Sequence, residues 1–337
     1  MMSILARLAS LKLSLAGMLG VLALALISNR VPEFSTTWLA VPFAFLSANL
    51  LAAILTNGVF RKQAALLVFH VCLLAMVILI GLSILIRFEG RVELVEGELF
   101  DRSSVTISNV GPWHPMGLDE VAFEQGEISV DYLPGLIRRH TQSVIREEKA
   151  ADGVRALVVG DRASARLDAY RFTTTFNKGL ALVVLWSDDD GDLQRGSINF
   201  PSYPEFEWKQ INSWTSPAGE QVDLELKLTD AAPRGEAWVL RSRDKPFSVS
   251  VSADGSTPRL LQQGDSLQLR DGVLVIEDLR LWMGYRVDFD PLLPWIFAAA
   301  MCALLALACH FQARYWPARQ ETRTAVLGGI RAYDGSD

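Results

Sequence analysis

His70 is the one ionisable side chain deep inside an apolar stretch, Ala64–Ile86, whose interior holds no Asp, Glu, Lys or Arg. An imidazole in such surroundings must find a partner, and ionisable groups inside membranes mark functional sites by default. Neutral imidazole is a good ligand for haem iron. His70 is therefore a candidate haem axial ligand, and so a candidate metal ligand. The plainer alternative is a hydrogen bond to Asn49 or Ser47, which lie midway along a second apolar stretch. His310 closes the last apolar stretch, roughly 5 Å from His70 in depth at about 1.5 Å rise per residue. The two could bracket one haem, although Arg314 nearby makes an interfacial role for His310 the simpler reading. His114 and His140 lie outside the apolar stretches and are expected to be structural or solvent-facing.

Other chemistry-bearing groups are sparse. The run Asp188–Asp192 looks calcium-like but lacks the Gly and Glu that an EF-hand loop needs in register, and reads as an acidic hairpin turn. Tyr203, Phe206, Trp208 and Trp214 could stack a porphyrin, but β-domain cores use the same residues. Cys72, Cys302 and Cys309 all fall in apolar runs, which leaves 88–290 with no disulfide, no redox pair and no haem-attachment motif. No phosphate loop, nucleophile elbow or zinc spacing is present, so no catalytic residue is assigned.

The elements that must position these groups follow from hydropathy and charge. Half of the 337 residues are hydrophobic and only 21% are charged. Residues 88–290 carry 22 Lys/Arg against 34 Asp/Glu, a net of −12; the rest carry 10 against 4, a net of +6. An acidic middle in a basic, apolar frame excludes a nucleic-acid binder and predicts an integral membrane protein with one soluble domain. Four stretches suffice to cross about 30 Å of hydrocarbon: about 11–29, 38–56 and 64–86, which make 1–87 a three-helix region, and 291–312. The first, with Arg7 and Lys12 before it and Ala23-Leu24-Ala25 inside it, also resembles a signal peptide, but its apolar run continues through Leu26 and Ile27, so a retained span is expected. Basic residues Arg7, Lys12, Arg61 and Lys62, and Arg314, Arg319, Arg323 and Arg331 in the tail 313–337, place both termini in the cytoplasm and 88–290 outside. Trp38 and Trp295 would then mark the outer interface and Trp316 the inner one.

The outer domain is expected to be β-rich, with about ten strands in a sandwich-like or distorted barrel. Val222, Leu224, Leu226 and Leu228 alternate with Asp223, Glu225 and Lys227, and Phe247, Val249 and Val251 repeat that period of two. Leu267–Val275 reads as a hairpin turned at Asp271-Gly272. Similar alternation occurs near Val92–Val95, Ile128–Tyr132 and Ala163–Phe172.

Several segments have a familial look. Leu8-Ala-Ser-Leu-Lys-Leu13 before the first span, Val68-Phe-His70-Val-Cys-Leu-Leu74 running to Gly81, Phe88–Gly97, and Leu267–Val275 with Gly284–Pro291 resemble the ResB family (also called CcsB), in the order that family uses. Leu292 stands where the family usually has the Gly of Asp-Pro-Gly. The resemblance covers about 1–97 and 260–316. It implies a membrane subunit of the System II cytochrome c maturation machinery, assisting delivery of transiently bound haem b to apocytochrome c. It also implies a ResC/CcsA-like partner, because the tryptophan-rich haem segment of that partner is missing from this sequence. On this reading the chain is an accessory subunit of a haem-lyase complex in the cytoplasmic membrane, not an enzyme alone, and His70 matches the family's transmembrane histidine. The alternatives are a non-catalytic anchor or sensor whose outer domain binds a protein and, with only His70 and His310 to pair, a b-haem electron-transfer subunit.

Overall fold

A computed structural model describes residues 2–31, 33–149, 153–188, 191–217, 219–242, 245–270 and 272–331. The chain divides into two compact units: Met1–Phe88 with Asn109–Pro115 and Asp290–Asp337, and Glu89–Ser108 with Met116–Phe289.

The first unit is helical: α1 (Met2–Leu8), α2 (Leu11–Arg30), α3 (Ala40–Thr56), α4 (Gly58–Lys62), α5 (Ala64–Ile86) and α6 (Leu293–Arg331). Four helices are long and apolar enough to cross a membrane, at Leu11–Arg30, Thr36–Thr56, Ala64–Ile86 and Leu293–Tyr315. They match the four expected stretches to within about two residues at every end but one. That end is the last: α6 does not stop near 312 but continues through Arg331, because Gln312–Arg331 contains strong helix formers and only one proline, Pro317. The expected boundary between span and tail is therefore not a helix end. The side chains of Trp316, Arg319, Arg323 and Arg331, like Asp189, Asp190 and Asp271, lie outside the described residues.

The second unit is built from β1 (Phe88–Val95), β2 (Thr106–Val110), β3 (Glu124–Leu133), β4 (Ile137–Lys149), β5 (Gly153–Gly160), β6 (Ala165–Leu167), β7 (Tyr170–Asp188), β8 (Leu193–Ser202), β9 (Ile211–Thr215), β10 (Gln221–Leu228), β11 (Trp238–Leu240), β12 (Phe247–Ala253), β13 (Arg259–Leu261), β14 (Ser266–Leu269) and β15 (Gly272–Phe289). These fifteen described strands exceed the ten expected, and they form three sheets. The largest has the order β2-β1-β15-β7-β6, with β14 on β15 and β8 on β7; the others run β13-β12-β10-β9 and β11-β3-β4-β5.

The predicted alternation holds where one face is wet. In β10 Val222, Leu224 and Leu226 are buried while Asp223, Glu225 and Lys227 are exposed. The β14–β15 hairpin is present, but Gly272 pairs with Leu269 and opens β15 instead of supplying the turn expected at Asp271-Gly272. Alternation fails in β7, where Leu180–Val184 are all buried, since this strand is covered on both faces. β7 and β15 pair antiparallel from Asp188 opposite Gly272 to Arg171 opposite Asp288, with bulges at Ile276/Asp278 and Met283/Tyr285.

Candidate functional site

His70 occupies the second turn of α5. Its Nδ1 lies 2.8 Å from the Leu66 carbonyl oxygen one turn earlier. A carbonyl only accepts, so Nδ1 is the donor in this contact. The ring is held by Phe60 of α4, with centroids 4.3 Å apart and planes tilted by 46°, and by the edge of Phe69 at 5.2 Å. Phe60 is itself buried. An imidazole anchored through one N–H to a carbonyl, with the other nitrogen free of described partners, is the arrangement in which histidine serves as a metal ligand.

The polar neighbours expected to satisfy His70 do something else. Asn49 is buried; its Oδ1 accepts from Ser14 Oγ at 2.6 Å and its Nδ2 donates to the Leu8 and Ser10 carbonyls at 2.5 and 3.3 Å. It fastens α3 to the α1–α2 junction. Ser47 Oγ donates to Phe43 within its own helix. The hydrogen-bond alternative for His70 is therefore corrected: its partner is backbone, because an i−4 carbonyl is always within reach inside a helix and the side chains at matching depth are committed.

His310 is half-buried on α6 with its ring against Phe311 at 5.6 Å. No hydrogen bond or ring contact among the described residues joins it to His70. His114 is buried against Phe88, and His140 is half-exposed, 3.4 Å from Asp161. Cys72, Cys302 and Cys309 are free thiols, and no cluster of three or more metal-ligating side chains occurs among the described residues. Asp188 behaves as a turn residue, its Oδ1 accepting from Asp192 N at 2.8 Å. The aromatic group does not gather: Tyr203 is fully buried, Trp214 meets Trp186, and Trp208 is 79% exposed. Trp208 is thus no core residue.

Sequence reasoning missed two carboxylates in the β unit, Glu96, which is buried, and Glu98, which is half-buried. Glu96 accepts from the amides of Ile128 at 2.7 Å and Leu281 at 3.3 Å, which ties β1 to β3 and β15. Glu98 accepts from Val95 N at 2.8 Å. Burial pushes both carboxyls above the ordinary glutamate range. Glu96, Gly97 and Arg280 form the shared wall of two cavities of about 320 and 370 Å³. Gly97 has φ +82°, and any Cβ there would strike the Arg280 guanidinium, which donates to the Glu96 carbonyl at 2.7 Å. The surrounding arginines are engaged: Arg195 pairs with Glu277 through two 2.7 Å bonds, and Arg146 with Glu124 at 3.1 Å. Behind them Tyr285, Gln125 and Ser143 close a fully buried network. Gly97 between two glutamates was the available signal, but charges in a strand pattern read as a wet face. Lys178 was hidden in the same way: it is buried, paired with Glu205 at 2.5 Å and lies over the Tyr132 ring.

Compared with family models and with curated proteins, the chain matches none.

Proposed function

We propose that this chain is a ResB/CcsB-like membrane subunit of a cytochrome c maturation complex, assisting passage of haem b to apocytochrome c beside a ResC/CcsA-like partner. The observation that carries the reading is His70: Nδ1 is bound to the Leu66 carbonyl, Nε2 has no described partner, and Phe60 and Phe69 flank the ring. These residues fit haem, since the free nitrogen can donate to iron and apolar rings suit a porphyrin face. When bound, haem would bring the iron that accepts the Nε2 lone pair. The chain's own part is to fix the imidazole tautomer and keep the ring in place. The role is that of an accessory subunit in a cytoplasmic membrane, with both termini inside and the β unit outside; the basic residues around the helices support that orientation. The test is the optical spectrum of the full chain purified with its partner, where a Soret band is expected and should fall on His70→Ala.

A second reading is a membrane anchor or sensor whose β unit binds a protein. It is favoured by exposed Phe206, Trp208 and Ile211, which stand within six residues of one another. It predicts a haem-free complex.

A further inference from the structure

α5 ends at Ile86, and the last carbonyls of any helix have no partner within the helix. At the edge of a bilayer such groups are costly unless something else satisfies them. The segment Asn109–Pro115, which belongs to the helical unit although its neighbours in sequence do not, supplies the donors. Trp113 N donates to the Leu85 carbonyl at 2.8 Å, Gly111 N to the Arg87 carbonyl at 2.8 Å, and His114 Nδ1 to the Ile86 carbonyl at 3.2 Å. Gly111 is required for this approach, because a Cβ would run into the Leu85 carbonyl group. Asn109 Oδ1 accepts from Thr36 Oγ1 at 2.9 Å, which ties the same segment to the turn leading into α3.

Within this seated segment Gly111 and His114 are buried, yet Trp113 is 62% exposed. Two more indoles stand at the same end of the helical unit: Trp38, where the α3 span begins, is 58% exposed, and Trp295, in the first turn of α6, is 66% exposed. Indole has a large apolar body with one N–H, and prefers the boundary between hydrocarbon and headgroups.

We propose that Asn109–Pro115 is a membrane-interface element that sets Trp113 at headgroup level beside Trp38 and Trp295, so that its partner is the lipid surface itself. The segment caps the third span and extends the aromatic belt with a residue from outside the spans. This rests on reading the four apolar helices as membrane spans.

The full chain, reconstituted in phosphatidylcholine vesicles brominated either near the headgroup or near the acyl-chain ends, gives the test. Subtracting the tryptophan emission of Trp113→Phe from that of the wild type isolates Trp113; Trp38→Phe and Trp295→Phe serve in the same way. The Trp113 signal should be quenched about twofold more by the shallow bromine than by the deep one, as interfacial indoles are. If Trp113 is unquenched while Trp38 and Trp295 are quenched, the proposal is overturned and the spans stand. If none is quenched, the span reading falls and takes the proposal with it.

Discussion

At the scale of single residues, the consequential groups are polar atoms committed in apolar places. Asn49 and His70 looked alike in sequence, two polar residues deep in apolar stretches, but Asn49 spends its amide on Ser14, Leu8 and Ser10 while His70 spends one nitrogen on its own helix. That difference was not legible, because hydropathy fixes depth and not which way a side chain turns. Glu96 was illegible for another reason: its partners, Ile128 N and Leu281 N, come from strands far apart in sequence. It makes a prediction with a definite sign. Burial raises the Glu96 pKa, so the native state holds a proton that the unfolded chain releases near pH 4.5. The folded form is therefore favoured by this group at low pH, and that advantage is lost as pH rises through the raised value. Thermal melts of the wild type and Glu96→Gln should show the variant gaining on the wild type as pH climbs from about 4.5 toward neutrality. A difference in melting temperature that stays flat with pH would contradict the assignment.

Elements were the most legible level. The four apolar helices follow from run length, and β10, β12 and the β14–β15 hairpin follow from alternation and a turn signal. The strand count and three-sheet division did not, because β7 is buried on both faces and β3–β4 carry Gln125, Thr141 and Ser143 inward, so neither shows a clean period of two. The entry into α6 illustrates how a short motif acts on an element. Asp290 accepts from Leu292 N at 3.1 Å, in the manner of a helix cap, and from Ser83 Oγ of α5 at 2.8 Å. Losing both bonds, one to a buried hydroxyl, should cost about 1–3 kcal/mol. Asp290→Ala is expected to lower the temperature at which the detergent-solubilised protein aggregates, with Asp290→Asn restoring part of the loss. A variant as stable as the wild type would show that the helix entry does not depend on this residue.

The whole molecule joins a helical unit to a β unit, and the sequence leads to the expectation of a soluble domain over 88–290. What it could not place was Asn109–Pro115, whose hydrogen bonds to the end of α5 are formed across about 25 residues of intervening chain. Orientation in the membrane rests on the basic loops. A reporter active only in the cytoplasm should give signal when inserted in 57–63 or fused after residue 337, and none after residue 200; the reverse pattern would put any haem delivery on the wrong side. The central claim proposed above, that His70 ligates haem, is tested most directly by the Soret absorbance of the full chain purified with the ResC/CcsA-like partner proposed for it. His70→Ala removes the ligand and leaves a space that free imidazole can enter, so absorbance and cytochrome c maturation should fall together and added imidazole should restore part of both, while His310→Ala does much less. Unchanged absorbance in a normally inserted His70→Ala protein would contradict the claim.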